Sequence, residues 1–132
     1  MSLNIKSQSA IEFMIILGTV MFFFTLLFIS LNDRISDKVK EKNNLAIKEI
    51  ALTVQDEIAF AYKSENGYQR NFQIPDLANS KEYFLNITDG SIYVITDDKN
   101  EAISLPLPSI NGNAKKGNNI IKKNESGIFL NL

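Results

Sequence analysis

The sequence predicts an α+β protein in which one long N-terminal helix packs on a small antiparallel β-sheet. Three observations predict it. From Phe13 to Leu31 no residue carries a charge, a run of about 19 residues against the ~20 that a bilayer-spanning helix needs. No Pro occurs before Pro75 and no Gly between Gly18 and Gly67, so nothing breaks the helix where the apolar run ends. Beyond Gly67 the chain turns to short strand-like runs separated by Asp-Gly, Pro and Asn-Gly.

The first element runs from a basic start through the apolar segment. Lys6 precedes it, and one carboxylate, Glu12, stands at its leading edge. Carboxylates beside membrane-length stretches are costly, so Glu12 points to a specific partner. Phe13, Phe22, Phe23, Phe24 and Phe28 fall all around the helix, as suits a segment surrounded by lipid or by neighbouring helices. Gly18 permits close helix approach. Lys6 and the amine before it place the start of the span on the cytoplasmic side and the remainder outside the cell. The run is longer than the apolar core of a secretory signal, and Asn32-Asp33-Arg34 after it offers no small-residue cleavage site.

The second element continues the helix over 32–63. Ile35, Val39, Ala46, Ile47, Ile50, Val54, Ile58 and Ala61 recur at spacings of three and four, broken once by Lys42. They mark one apolar face, with most of the charges elsewhere. A helix continuous from Gln8 to Tyr62 has a length of about 80 Å at ~1.5 Å per residue. Ser64-Glu65-Asn66-Gly67 ends it, with Gly67 suited to a left-handed cap.

Residues 64–132 form the β-domain. Tyr68–Ile74 alternates partly. Tyr83–Thr88 and Ser91–Thr96 flank Asp89-Gly90, a two-residue hairpin signal. Glu101–Leu107 is a further strand, which Pro106 and Pro108 end or place at an edge. Asn111-Gly112-Asn113 and Lys116-Gly117-Asn118 read as loops, and Asn119–Lys123 with Gly127–Asn131 as a last hairpin. About 70 residues make a marginal core alone, so the amphipathic helix face completes it.

Composition narrows the function. The 132 residues include no Cys, no His and no Trp, and the net charge is -1. There is therefore no disulfide or thiol chemistry, no imidazole base or ligand, and no broad basic face for nucleic acid. No phosphate-cradling glycine loop, nucleophile–base pair or metal constellation occurs, so the reading assigns no enzyme activity and no cofactor. Asp97-Asp98 with Asn100 and Glu101 lacks the spacing of a calcium loop and reads as a solvated turn.

The stretch Lys6-Ser7-Gln8-Ser9-Ala10-Ile11-Glu12-Phe13 resembles the class III signal peptide of archaeal type IV pilins and pilin-like proteins. In that family a prepilin peptidase cuts just before a Gln, and a Glu stands at the fifth mature position at the head of the hydrophobic helix. The resemblance covers about the first 31 residues. It implies cleavage between Ser7 and Gln8, and assembly contacts through Gln8 and Glu12. Ser7 stands where the family usually has Gly, Ala10 where it usually has Ser, and Ile16 where it has Leu.

Physics supports a role for Glu12 independently. An unpaired buried carboxylate costs several kcal/mol, and a cut before Gln8 frees an α-amine about one helical turn away. The resemblance implies that this pairing forms between subunits and sets their axial register. The implied organisation is a cleaved basic leader at 1–7, a transmembrane and filament-core helix at 8–31, its amphipathic continuation at 32–63 and an extracellular β-domain at 64–132.

The implied function is a structural pilin of a type IV pilus-like surface filament, serving adhesion. Its partners are other copies in a helical homopolymer, the prepilin peptidase, the pilus assembly machinery and the membrane before assembly, with no nucleic acid. Asn86-Ile87-Thr88 and Asn124-Glu125-Ser126 are candidate N-glycosylation sequons. Asn86 falls inside an expected strand and must face outward to be modified. The alternative is an uncleaved single-pass membrane protein whose exodomain binds a ligand or partner.

Overall fold

A computed structural model describes residues 2–132, with side chains from Lys6 onward. Met1, the first residue of the expected leader, lies outside the described residues. The chain has one long N-terminal helix packed on largely antiparallel sheets. Helix α1 spans Ser2–Lys63, and the strands are β1 (Gln69–Ile74), β2 (Tyr83–Thr88), β3 (Ser91–Thr96), β4 (Ala102–Pro106), β5 (Asn111–Gly112), β6 (Gly117–Asn124) and β7 (Gly127–Leu130). The chain divides into two compact units, 1–39 and 40–132, with the division inside α1.

Among the described residues the first unit is helix alone. The helix includes residues 2–7 of the expected leader, so Gln8 lies within it rather than at its start. Thr19 and Thr25 donate their hydroxyls back to the carbonyls of Ile15 and Met21 at 2.8 and 2.9 Å. These bonds let polar side chains sit in an apolar stretch without an unmet donor.

In the second unit the helix contributes one buried face. Asn43, Ile47, Ile50, Ala51, Val54, Ile58 and Ala61 are buried; most repeat at three or four, the period of a single helix stripe. This face shares a core with Phe72 and Ile74 from β1, Tyr83 from β2, Ile92 and Val94 from β3, and Ile121, Ile128 and Leu130 from β6 and β7. The helix ends where the sequence stops it. Ser64 N donates to Phe60 O at 3.0 Å, and Gly67 follows with φ 95°. Lys123 on β6 donates its ammonium to Tyr62 O at 2.7 Å and Ser64 O at 2.6 Å. A cation on the last carbonyls also complements the negative end of the helix dipole.

The single expected sheet is two sheets. One has the order β1-β6-β7-β5 and the other β2-β3-β4. The β2–β3 hairpin has the expected register, Thr88 opposite Ser91. Asp89 and Gly90 both take positive φ, 51° and 72°, as a type I′ turn requires. The β3–β4 ladder runs to Ser91 opposite Pro106 and to Leu107 N donating to Gly90 O at 2.7 Å, and Pro108, which has no N–H, does not extend it.

Two segments expected as loops are strand. Asn111-Gly112 is β5, which pairs in parallel with β7. A Cβ on Gly112 would lie 2.0 Å from Leu130 O, and its φ is 100°. Such a short strand has no periodicity to read; only the close backbone approach creates it. Gly117-Asn118 opens β6 opposite Ile74 and Gln73 of β1.

Asparagines connect the two sheets. Asn113 donates to Asn86 Oδ1 and accepts from Ile87 N at 3.0 Å, which caps the outer edge of β2. Asn131 donates to Asn113 O at 2.9 Å and to Asn119 Oδ1 at 2.8 Å. Fully buried Asn119 returns bonds to Lys115 O and Gly117 O. Its burial is tolerable because each polar atom has a partner.

Candidate functional site

The apolar surface of the first unit is the most conspicuous feature of the described residues. Every large apolar side chain from Ile11 to Leu31 that the helix presents is between 45% and 69% exposed. No side of the helix is spared, because residues such as Leu26, Leu27, Phe28 and Ile29 follow one another at about 100° per residue. Soluble surfaces rarely expose contiguous apolar patches beyond a few hundred Å². The helix is long and apolar enough to cross a membrane, and none of its apolar window is buried within the chain.

Ser7, Gln8 and Glu12 lie on exposed turns of this helix. Gln8 and Glu12, four residues apart, fall on one face within a single turn. Glu12 makes no ion pair among the described residues. The structure therefore brings Gln8 and Glu12 together and supplies Glu12 with no cation of its own.

The two sequons occupy different settings. Asn86 lies on β2 with its side chain on the exposed face, in line with Phe84 and Thr88. Asn124 ends β6 at the β6–β7 turn, where its Oδ1 accepts from Ser126 N at 2.8 Å. Both side chains are exposed.

The Asp97–Glu101 turn is only partly the solvated turn expected. Asp97, Asp98, Lys99 and Asn100 are exposed, but Glu101 is buried. Its carboxylate accepts from Asn43 Nδ2 at 3.4 Å, with Lys81 Nζ 3.8 Å away, and one of its oxygens lies 3.0 Å from Thr96 Oγ1. Asn79 donates in turn to Asn43 Oδ1 at 2.8 Å.

Asp98 takes the Lys81 ammonium at 2.6 Å and the Thr96 hydroxyl at 2.6 Å. The Lys81 contact, then those from Thr96 and Asn100, hold the Asp98 carboxyl well below the usual carboxylate range. The same carboxylate raises Lys81. Across the sheet, burial, with Asp76 and Glu82 nearby, pushes the Tyr83 phenol up to about 12. That phenol donates to Pro75 O. These groups tie β2, β3 and the helix together.

Sequence reading missed Asn43 and Glu101. The signal was present for Asn43, which lies four residues from both Val39 and Ile47 and so falls on the apolar stripe. A polar residue on a buried stripe demands a buried partner. No family model, no curated protein and no solved structure matches the chain, so its surfaces are read from their own chemistry.

Proposed function

We propose that the chain is a structural subunit of an archaeal type IV pilus-like surface filament with an adhesive role, matured by a prepilin peptidase between Ser7 and Gln8. The observation that carries this reading is an exposed, membrane-length apolar helix headed by an unpaired Glu12 one turn after Gln8. Lipid satisfies such a surface before assembly, and identical helices satisfy it afterwards. Both environments are apolar, so the exchange costs little hydrophobic free energy. Directional terms then decide the packing. The amine freed at Gln8 is the cation that Glu12 lacks, and a pairing between neighbouring copies fixes their register. The β-rich unit is the displayed part, and Asn86 and Asn124 are its candidate glycan acceptors.

The test is the mature terminus together with assembly. Protein from native membranes should begin at Gln8, and Glu12→Ala should leave that cut in place while abolishing filaments in electron micrographs. A native chain that keeps residues 1–7 would instead mark the uncleaved single-pass membrane protein. Normal filaments from Glu12→Ala would remove the register role.

A further inference from the structure

The outward face of the β2-β3-β4 sheet carries no charge, although charged residues make up 22% of the chain. On β2 it presents Phe84, Asn86 and Thr88, all exposed, because a strand directs alternate side chains to one face. Phe84 is 62% exposed, and Tyr93 on β3, the register partner of Asn86, is 44% exposed. Ser104 of β4 lies opposite Tyr93 on its other side. Asn86 is thus bracketed by one ring two residues before it, roughly 7 Å along the strand, and another about 5 Å across it.

We propose that Asn86 is N-glycosylated and that its first sugar lies on a bed formed by the rings of Phe84 and Tyr93. The inference rests on the extracellular placement of the β-rich unit in the filament reading. A neutral sugar suits this face: its C–H surface covers aromatic rings, while its hydroxyls remain free for water and for neighbours such as Ser104. A charged lipid headgroup or nucleic acid would find no counter-charge there. A second copy of the chain would bury the Asn86 amide beneath it, since no group among the described residues accepts a hydrogen bond from Asn86 Nδ2.

The carboxamide is already held by its oxygen, which accepts from Asn113 Nδ2, and this leaves Nδ2 to bear the sugar. In the transfer, Asn86 Nδ2 bonds to the anomeric carbon of a sugar carried on a polyprenyl phosphate or diphosphate. The bond from that carbon to the phosphate oxygen breaks, the phosphate leaves with the electron pair, and one amide proton passes to the transferase's base. The transfer precedes closure of the strand; Thr88 completes the acceptor sequence. Asn124 offers no such bed. Two residues before it stands Lys122, and opposite it stands Gly127.

The experiment uses full-length protein from native membranes and its Thr88→Ala variant, which loses the acceptor sequence but keeps Asn86 and its Asn113 contact. Trypsin releases residues 82–99, a peptide containing Asn86 and no second sequon. In the native protein this peptide should carry a sugar mass that Thr88→Ala lacks. Phe84→Ala and Tyr93→Ala should each lower the Tm of the glycosylated protein by about 4 °C or more beyond their effect in the Thr88→Ala background. An unmodified peptide overturns the inference, and if that same sample begins at Gln8 the filament reading stands without it. Equal Tm losses in the two backgrounds overturn the sugar bed.

Discussion

Residues 11–31 and 43–61 belong to one helix, and both are rich in apolar side chains, yet their fates differ. In the first stretch every large apolar side chain is exposed; in the second a single stripe is buried against strands. The difference lies in distribution around the axis. A stripe of about 100° can be covered by one sheet packed from one side. A helix apolar on all sides can be covered only by an environment that surrounds it, which is lipid or several other helices. The second stretch solves its burial within the chain, and the first leaves its apolar surface uncovered there.

That contrast can be broken most severely at Ile58, which is fully buried. Ile58→Ala should destabilise the β-rich unit by about 2–5 kcal/mol, read as a lowered midpoint in thermal or denaturant unfolding. Ile16→Ala, which removes the same atoms from an exposed site, should leave that midpoint unchanged in detergent. Equal losses would mean that the apolar half has a covering within the chain.

Gly112→Ala tests the least readable part of the fold. The added Cβ meets Leu130 O and the residue must hold a positive φ, so a loss of about 2 kcal/mol is expected. Hydrogen exchange should localise the damage to β5 and β7. An unchanged midpoint would show that β5 contributes nothing to the sheet.

The smallest effect concerns pH. Asp98 is held low in the fold, so its contribution is present above the unfolded carboxylate value of about 4 and is lost as pH falls below it. Lys81 is held high, so its share is present below its usual value and disappears as pH rises past the folded one. Asp98→Asn should therefore lower the midpoint modestly at pH 7, and the difference from the unsubstituted protein should shrink steadily as pH falls from 4 towards 2. A constant gap across that range would sink the electrostatic explanation, leaving only a hydrogen-bonding role.

Local patterns foretold the elements whose cause is local. The β2–β3 hairpin follows from Asp89-Gly90, the helix stop from Gly67, and the buried stripe from Ile47, Ile50, Val54 and Ile58. The candidate site was equally readable in its linear part, because Ser7, Gln8, Glu12 and the two sequons are defined by sequence neighbours. Three features were not readable. Two sheets formed where one was expected, β5 arose from two residues, and Asn43 found Glu101 across 58 positions of sequence. Each depends on contacts between residues distant in sequence, which no local period encodes.

The sequence by itself thus determined where the helix is uniformly apolar, where it is striped, where it stops and which asparagines stand in acceptor sequons. These properties follow from side-chain chemistry at fixed helical or strand spacing. Only the tertiary structure decided that Asn86 faces outward between Phe84 and Tyr93, that Asn119 is buried and satisfied, and that Glu101 closes over Asn43. The physical reason is register. A shift of one residue in the β2–β3 pairing would have reversed the face of every side chain on β2, and that register is secured by the Asp89-Gly90 turn acting together with a core filled by Tyr83, Ile92 and Val94.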